Sequence, residues 1–290
     1  MIDWFAPELL AFIAAAAFGA AVVASKVGLR EMSPLGGATV SVPTTALLLW
    51  CLAPLFLDAS GWNNDAALIF ALIGLFFPAL VTLLNFEANS RMGPIVASTV
   101  ASVTPLFAVA GAIVLLGETP TLRAALGIAA VVLGVMTLSI SGRGVRRDWP
   151  LWVVLIPLAG AMVRGSAQAL AKFGLALWPS WFAAALIGYT VSAAIILMFA
   201  FGPGGSRRSA YRENAVFWFA LAGALNGAAV LLMYAALNSG TVTVVASIIA
   251  VYPAFTLLLS ALFLHDEKIT SLVLAGMILT LAGVILVMQG

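Results

Sequence analysis

Ten long apolar segments constrain the fold of this chain more than any other feature. A helix needs about 20 residues to cross the hydrocarbon core of a membrane. The chain is 63% hydrophobic and only 8% charged, whereas soluble domains are about 45–50% apolar and about 25% charged. We therefore predict an all-α membrane protein with ten transmembrane helices, at residues 5–27, 34–57, 66–90, 94–116, 121–141, 151–175, 178–201, 214–238, 241–264 and 269–289.

The two halves of the sequence resemble each other. "SKVGL" at 25–29 matches "AKFGL" at 171–175, and "GIAAVVLGV" at 127–135 matches "GMILTLAGV" at 276–284. Between them, Gly93 matches Gly240 and Pro105 matches Pro253. The sequence thus predicts two five-helix repeats, residues 1–142 and 150–290, joined by a short basic linker at 143–149.

An odd number of spans in each half reverses the orientation of the second repeat relative to the first. Inverted repeats of this kind are a transporter design, in which substrate binds near the membrane midplane between the halves. We therefore predict a secondary transporter that works by alternating access around a central cavity. An old duplication without a transport role is the alternative.

Each half also carries a proline-centred span followed by a glycine-containing final span. These are "TPLFAVAGAIVLLGET" at 104–119 and "YPAFTLLLSALFLHDE" at 252–267. In this pattern the chain resembles the drug/metabolite transporter superfamily, in its EamA-like branch. The resemblance implies export of amino acids or other metabolites, with a cavity walled by spans 1, 3, 4, 6, 8 and 9. The second half has "HDE" in place of the usual Gly-Glu, so Asp266 or Glu267 is the equivalent of Glu118.

Arg164 is the leading candidate for substrate contact, because it falls near the middle of the sixth span. A charge there costs at least about 2.5–3.5 kcal/mol, and arginine does not lose its proton. Gln168 and Lys172 follow at i+4 and i+8, so the three side chains form a polar stripe on one helix face. We predict that Arg164 binds an anionic group, such as a carboxylate, by two parallel hydrogen bonds. The alternative is that Glu87 or backbone carbonyls neutralise Arg164, which then only fixes helix packing.

Other polar residues within the spans are further candidates for substrate binding. Lys26 and Lys172 lie near span ends, where they attract anions, gate the cavity or simply extend to the interface. Asn226 lies deep in the eighth span, where an amide needs a hydrogen-bond partner on another helix or a ligand. The remaining candidates are Asn85, Glu87, Tyr234, Thr104 and Tyr252.

Two prolines and four glycines have matched positions in the two halves. Pro105 and Pro253 each remove a backbone hydrogen bond at mid-span, and we predict a kink that forms a cavity wall or a hinge. The glycine pairs, seven residues apart, are predicted to permit close helix packing: Gly127 with Gly134, and Gly276 with Gly283.

The sequence argues against several other functions. There is one cysteine and one histidine, too few for a metal site or a catalytic centre, so we expect no cofactor, no metal and no enzyme activity. The expected partners are a small-molecule substrate and the lipid bilayer, with no nucleic acid, and the chain is expected to be a monomer, with a dimer as the alternative. A sugar-phosphate or other organophosphate exchanger is the alternative substrate class, and a non-transporting scaffold or sensor is the alternative function.

The basic residues favour one orientation. Loops after odd-numbered spans, here called the odd loops, hold most of the Lys and Arg, whereas loops after even-numbered spans, the even loops, hold little beyond Arg123. Because cytoplasmic loops are enriched in these residues, we predict that the odd loops face the cytoplasm of a bacterial-type inner membrane. Both termini would then be extracytoplasmic, whereas the resemblance implies that both are inside.

This orientation predicts the labelling of an introduced cysteine. With Cys51 replaced by alanine, Arg146→Cys should react with an impermeant thiol reagent in inside-out vesicles and not in intact cells, because Arg146 belongs to an odd loop. Labelling from the outside alone would reverse the assignment.

Overall fold

The computed structural model describes residues 6–140, 150–201, 212–263 and 271–289. The predicted linker 143–149, as well as Asp266 and Glu267, lies outside the described residues. Within the described ranges the chain is helical, with a short 3₁₀ turn at Leu151–Val154 ahead of α8. The helices are α1 Pro7–Gly28, α2 Pro34–Phe56, α3 Asn64–Phe76, α4 Ala79–Met92, α5 Pro94–Ala101, α6 Thr104–Leu116, α7 Leu122–Ile140, α8 Leu155–Leu177, α9 Trp181–Phe201, α10 Glu213–Ser239, α11 Val242–Ile249, α12 Tyr252–Phe263 and α13 Ser271–Met288.

The predicted fold class is confirmed: this is an all-α membrane protein. Among the described residues, seven helical stretches are long and apolar enough to cross a membrane, and shorter apolar helices accompany them. The arrangement fits ten spans in two repeats of five. Spans 3, 4 and 9 are each divided into two helices, α3/α4, α5/α6 and α11/α12.

The division of span 3 was not predicted. The break leaves backbone groups without partners in their own helix, and Ser192 of α9 forms hydrogen bonds with two of them. Pro78 has no N–H to donate to the carbonyl of Gly74, four residues earlier. The Ser192 hydroxyl donates to that carbonyl at 2.6 Å and accepts a hydrogen bond from the backbone N–H of Ala79 at 3.1 Å. A neighbouring helix thus replaces bonds that hydrocarbon would leave unmade.

The divisions of spans 4 and 9 occur at equivalent places, just before the matched prolines. Pro105 and Pro253 each take the second position of a new helix, α6 and α12, where a missing N–H costs little. The Thr104 hydroxyl donates to the carbonyl of Ala101 at 2.6 Å, which is the acceptor that an ordinary residue at position 105 would use. The predicted interruptions are present; their role as hinges remains a prediction.

Helix packing shows the pseudo-two-fold relation between the halves. Span 1 packs on spans 8 and 9, and its counterpart, span 6, packs on spans 3 and 4. Spans 2 and 7 pack on each other, as do spans 5 and 10, so the pseudo-symmetry axis passes between the members of each of these pairs. The core therefore forms where spans of opposite halves interlock.

A matched pair of glycines brings these spans into backbone contact. A Cβ at Gly165 of α8 would lie 2.7 Å from the backbone nitrogen of Ala108 in α6. A Cβ at Gly19 of α1 would lie 3.0 Å from the carbonyl oxygen of Tyr252 in α12. Each glycine thus allows its helix to pack directly against a divided span of the other half, next to the break.

The predicted role of the glycine pairs in α7 and α13 is confirmed. A Cβ at Gly127 would lie 2.7 Å from the carbonyl oxygen of Gly283, and one at Gly134 would lie 2.8 Å from that of Gly276. The two helices pack along this seam, and no side chain fits between their backbones.

Alanine substitution should separate close-packed glycines from tolerant ones. Gly134→Ala should lower the free energy of unfolding by about 1–3 kcal/mol because the new methyl group overpacks the α7–α13 seam. Gly188→Ala is the matched control, because its Cβ would meet the nearest atom at 3.9 Å and alanine favours helix. Thermal unfolding in detergent measures the stability of both variants. Equal melting temperatures would contradict the close packing of α7 on α13 at Gly134.

Candidate functional site

A narrow cavity, lined by nine polar and six apolar residues, lies between the two halves, from the midplane toward the odd loops. Its volume is about 40 Å³, which is room for about three water molecules, so a larger solute requires its walls to separate. Residues from spans 1, 2, 3, 4, 6, 8 and 9 line it, namely Phe18, Ala21, Val22, Ser25, Ser41, Thr82, Asn85, Phe86, Asn89, Ala97, Ser98, Arg164, Ala222, Asn226 and Tyr252.

Arg164 lies at the inner end of this cavity. Its side chain is buried, and its Nε has no hydrogen-bond partner. The guanidinium carbon lies 5.1 Å from the ring centre of Phe18 and 5.7 Å from that of Tyr252. These distances are typical of cation–π attraction, which stabilises the positive charge. The Nε–H of the guanidinium stays available to donate a hydrogen bond to a ligand. Phe18 is the counterpart of Arg164 in the first repeat, so matched positions of the two halves face each other.

The cavity wall opposite this charge is neutral and polar. The Asn89 amide donates to the hydroxyl of Ser25 at 3.0 Å, while its Oδ1 is buried without a partner. Asn226 donates to the hydroxyl of Tyr189 at 2.8 Å. In the part of the chain that the structure describes, Arg164 is the only charged residue that lines this cavity. The site therefore has a positive end and a wall able to accept and donate hydrogen bonds.

The structure brings four of the predicted binding residues together at the cavity: Arg164, Asn85, Asn226 and Tyr252. The other six lie outside its lining. Gln168 and Tyr234 are buried, Thr104 faces the break in span 4, Lys26 and Lys172 are half-buried near helix ends, and Glu87 is paired elsewhere.

Glu87 is not placed to neutralise Arg164. Its carboxylate forms an ion pair and a hydrogen bond with Arg91, one turn later on α4. Arg91 in turn lies 5.4 Å from the ring centre of Trp152. Both members of the pair are partly exposed, as expected for an i, i+4 pair near the end of a span.

Several residues that line the cavity were not predicted from the sequence. Ser25, Ser41 and Ser98 attract no notice in a sequence, because serine is tolerated within membrane helices. Asn89 shares a helix face with Asn85, and that spacing was the available signal. Phe18 was not among the candidates, because an apolar side chain is expected within a span, although its ring lies against the Arg164 guanidinium.

The face of the even loops is tied together by two charged side chains. Glu118 Oε1 accepts a hydrogen bond from the N–H of Val242 at 2.8 Å, and Oε2 accepts from the hydroxyl of Thr243 at 2.7 Å. Lys172 Nζ donates to the carbonyl of Leu237 at 2.7 Å, at the end of α10. A carboxylate at a helix start and an ammonium at a helix end both match the helix dipole.

Gly117 explains how Glu118 reaches its position. It adopts the left-handed conformation, with φ 66°, where α6 ends, which is a common glycine role at helix C-termini. The chain turns there and directs the next residue to the first turn of α11. In the Gly-Glu sequence, the glycine thus ends α6 and the glutamate binds the start of α11.

Comparison with known proteins agrees with this architecture. The sequence model of the EamA-like transporter family matches residues 6–140 and, separately, 151–289. One solved crystal structure is similar with a TM-score of 0.75 at 15% sequence identity, over 97% of this chain and 95% of that one, which shows a shared fold. A search of curated proteins found no match.

Replacing Arg164 should stabilise the ligand-free protein. Burying the charge costs at least about 2.5–3.5 kcal/mol, and cation–π attraction returns up to about 2 kcal/mol. Arg164→Met should therefore raise the free energy of unfolding by about 1 kcal/mol, seen as a higher melting temperature. Arg91→Met is the control on an exposed ion pair, which is worth about 0–1 kcal/mol, and should show no increase. A lower melting temperature for Arg164→Met would make Arg164 a structural residue.

Proposed function

Because this chain belongs to the EamA-like transporter family and is thus an integral membrane transporter of the drug/metabolite type, we propose that it exports or exchanges small carboxylates, amino acids among them. The observation that carries the proposal is the partly unpaired guanidinium of Arg164 at the inner end of the cavity. Intramembrane charges generally serve function, and a guanidinium matches the two oxygens of a carboxylate.

The neutral wall of the cavity supports a ligand with a single negative charge. Asn85, Asn89 and Asn226 supply amide groups that can bind the polar remainder of such a molecule. Amide oxygens accept hydrogen bonds from an ammonium or hydroxyl group, and amide nitrogens donate to further oxygens. A zwitterion or a hydroxy acid satisfies both ends of this site.

The organophosphate alternative receives less support. A phosphate monoester carries nearly two negative charges at neutral pH, and a second cation would be needed to balance it. Lys26 and Lys172 lie outside the cavity lining, and the Lys172 ammonium is bound to the carbonyl of Leu237. The single negative charge of a carboxylate is balanced by one guanidinium, whereas the charge of a phosphate monoester is not.

We further propose that the protein exports its substrate from the cytoplasm. The cavity lies on the side of the odd loops, which we predict, from their basic residues, to face the cytoplasm of a bacterial-type inner membrane. A cytoplasmic cavity is the loading state of an exporter. The transporter acts as a monomer in this proposal, without a cofactor.

Ligand-dependent stability tests the substrate class. The melting temperature of the purified protein is measured with amino acids, hydroxy acids and sugar phosphates, for wild type and for Arg164→Gln. A ligand at about 100 times its dissociation constant adds about 2.7 kcal/mol to the free energy of unfolding. We expect carboxylates to raise the melting temperature of the wild type and not of the variant.

One control variant and two contradicting outcomes complete this test. Arg91→Gln removes a positive charge outside the cavity and should keep the ligand response. Equal stabilisation of wild type and Arg164→Gln would contradict the role of Arg164. A response to sugar phosphates without one to carboxylates would replace the proposed substrate class by the alternative.

A further inference from the structure

Gln168 is a buried side chain whose polar atoms lack partners. It is 1% exposed, and neither Nε2 nor Oε1 has a hydrogen-bond partner. An unpaired buried polar group costs about 1–3 kcal/mol, so an amide in this position weakens the closed packing around it. A leucine would fill the same space without that cost.

The position of Gln168 continues the line of the cavity. It follows Arg164 by four residues on α8, so it lies on the same helix face, about 6 Å farther toward the even loops. Lys172 follows by another four residues, at the edge of that face. The polar stripe therefore begins at the cavity, passes through closely packed protein at Gln168 and ends at the surface.

The bonds of Glu118 and Lys172 lie at the outer end of this stripe. Glu118 links the end of α6, in the first repeat, to the start of α11, in the second. Lys172 links α8 to the end of α10. Span 4 is thus linked to span 9, and span 6, which carries the stripe, is linked to span 8, both on the side of the even loops. Glu118 and Thr243 also line a surface groove of about 510 Å³, so solvent can reach the carboxylate.

We propose that Gln168 lines the half of the transport pathway that is closed in this structure, and that Glu118 and Lys172 form the gate that closes it. When the gate opens, the Gln168 amide gains water or the passing solute as its partner. The bonds of Glu118 and Lys172 offset the cost of burying that amide, so the closed and open states lie close in free energy. The inference rests on transport by alternating access and does not depend on which solute is carried.

Cysteine reactivity tests this arrangement without a substrate. In a Cys51→Ala background, Gln168→Cys is treated with a membrane-impermeant methanethiosulfonate reagent, in intact cells and in inside-out vesicles. Ser60→Cys, in an even loop, identifies the preparation in which the even loops face the reagent. In that preparation we expect slow labelling at 168, because the gate is closed.

Removal of the gate should accelerate that labelling. Glu118→Ala removes hydrogen bonds to a charged acceptor, and we expect labelling at 168 to become at least about tenfold faster from the side of the even loops. Asp65→Ala is the control, because Asp65 is likewise an acidic residue near the even loops, in the first turn of α3, and its replacement should leave the rate unchanged. Thr243→Val and Lys172→Met each remove part of the gate and should produce smaller increases.

A second cysteine distinguishes opening from unfolding. Ala185→Cys lies on α9, is buried to the same extent as Gln168 and is closer to the even loops. It should stay unreactive when Glu118 is replaced. An unchanged rate at 168 in the Glu118, Lys172 and Thr243 variants would overturn the gate, as would equal acceleration at 185. Either result leaves the carboxylate proposal to be judged by its own test.

Discussion

The contacts that the divided spans 4 and 9 make with glycines of the opposite repeat are the constraint on which the rest of the structure depends. Hydrocarbon offers no hydrogen bonds to a broken helix, so a break must be enclosed by protein or face a cavity. Gly19 and Gly165 allow α1 and α8 to approach the breaks before α12 and α6 closely enough to enclose them. This approach brings Arg164 within reach of Tyr252, and thus places the charge at the point where the two halves meet.

Much of the fold could be predicted because its causes are local. Runs of apolar residues determine the spans, and matched motifs such as Pro105 and Pro253 reveal the repeat. The division of span 3 could not be predicted, since it depends on Ser192, more than a hundred residues away in sequence. A proline indicates that a bond is lost, but only packing shows which neighbour replaces it.

The candidate site was predicted less completely, for a related reason. Arg164 could be identified from the sequence because a charge at mid-span is costly wherever it points. The placement of Lys172 depends on which carbonyl lies within reach, and here the end of α10 lies close enough to bind the ammonium. Asn89 and Ser25 line the cavity because α4 and α1 turn those faces inward, and helical periodicity alone does not select between two polar faces.

The two faces of the molecule differ chemically although their backbones are related. The position equivalent to Thr243 in the first repeat is Val96, and the position equivalent to Thr241 is Pro94. The start of α5 therefore lacks the hydroxyl with which Thr243 binds Glu118 at α11. A carboxylate from the second repeat would find fewer donors at α5 than Glu118 finds at α11. In the proposed gate, this difference favours closure at the even loops, while the cavity lies toward the odd loops.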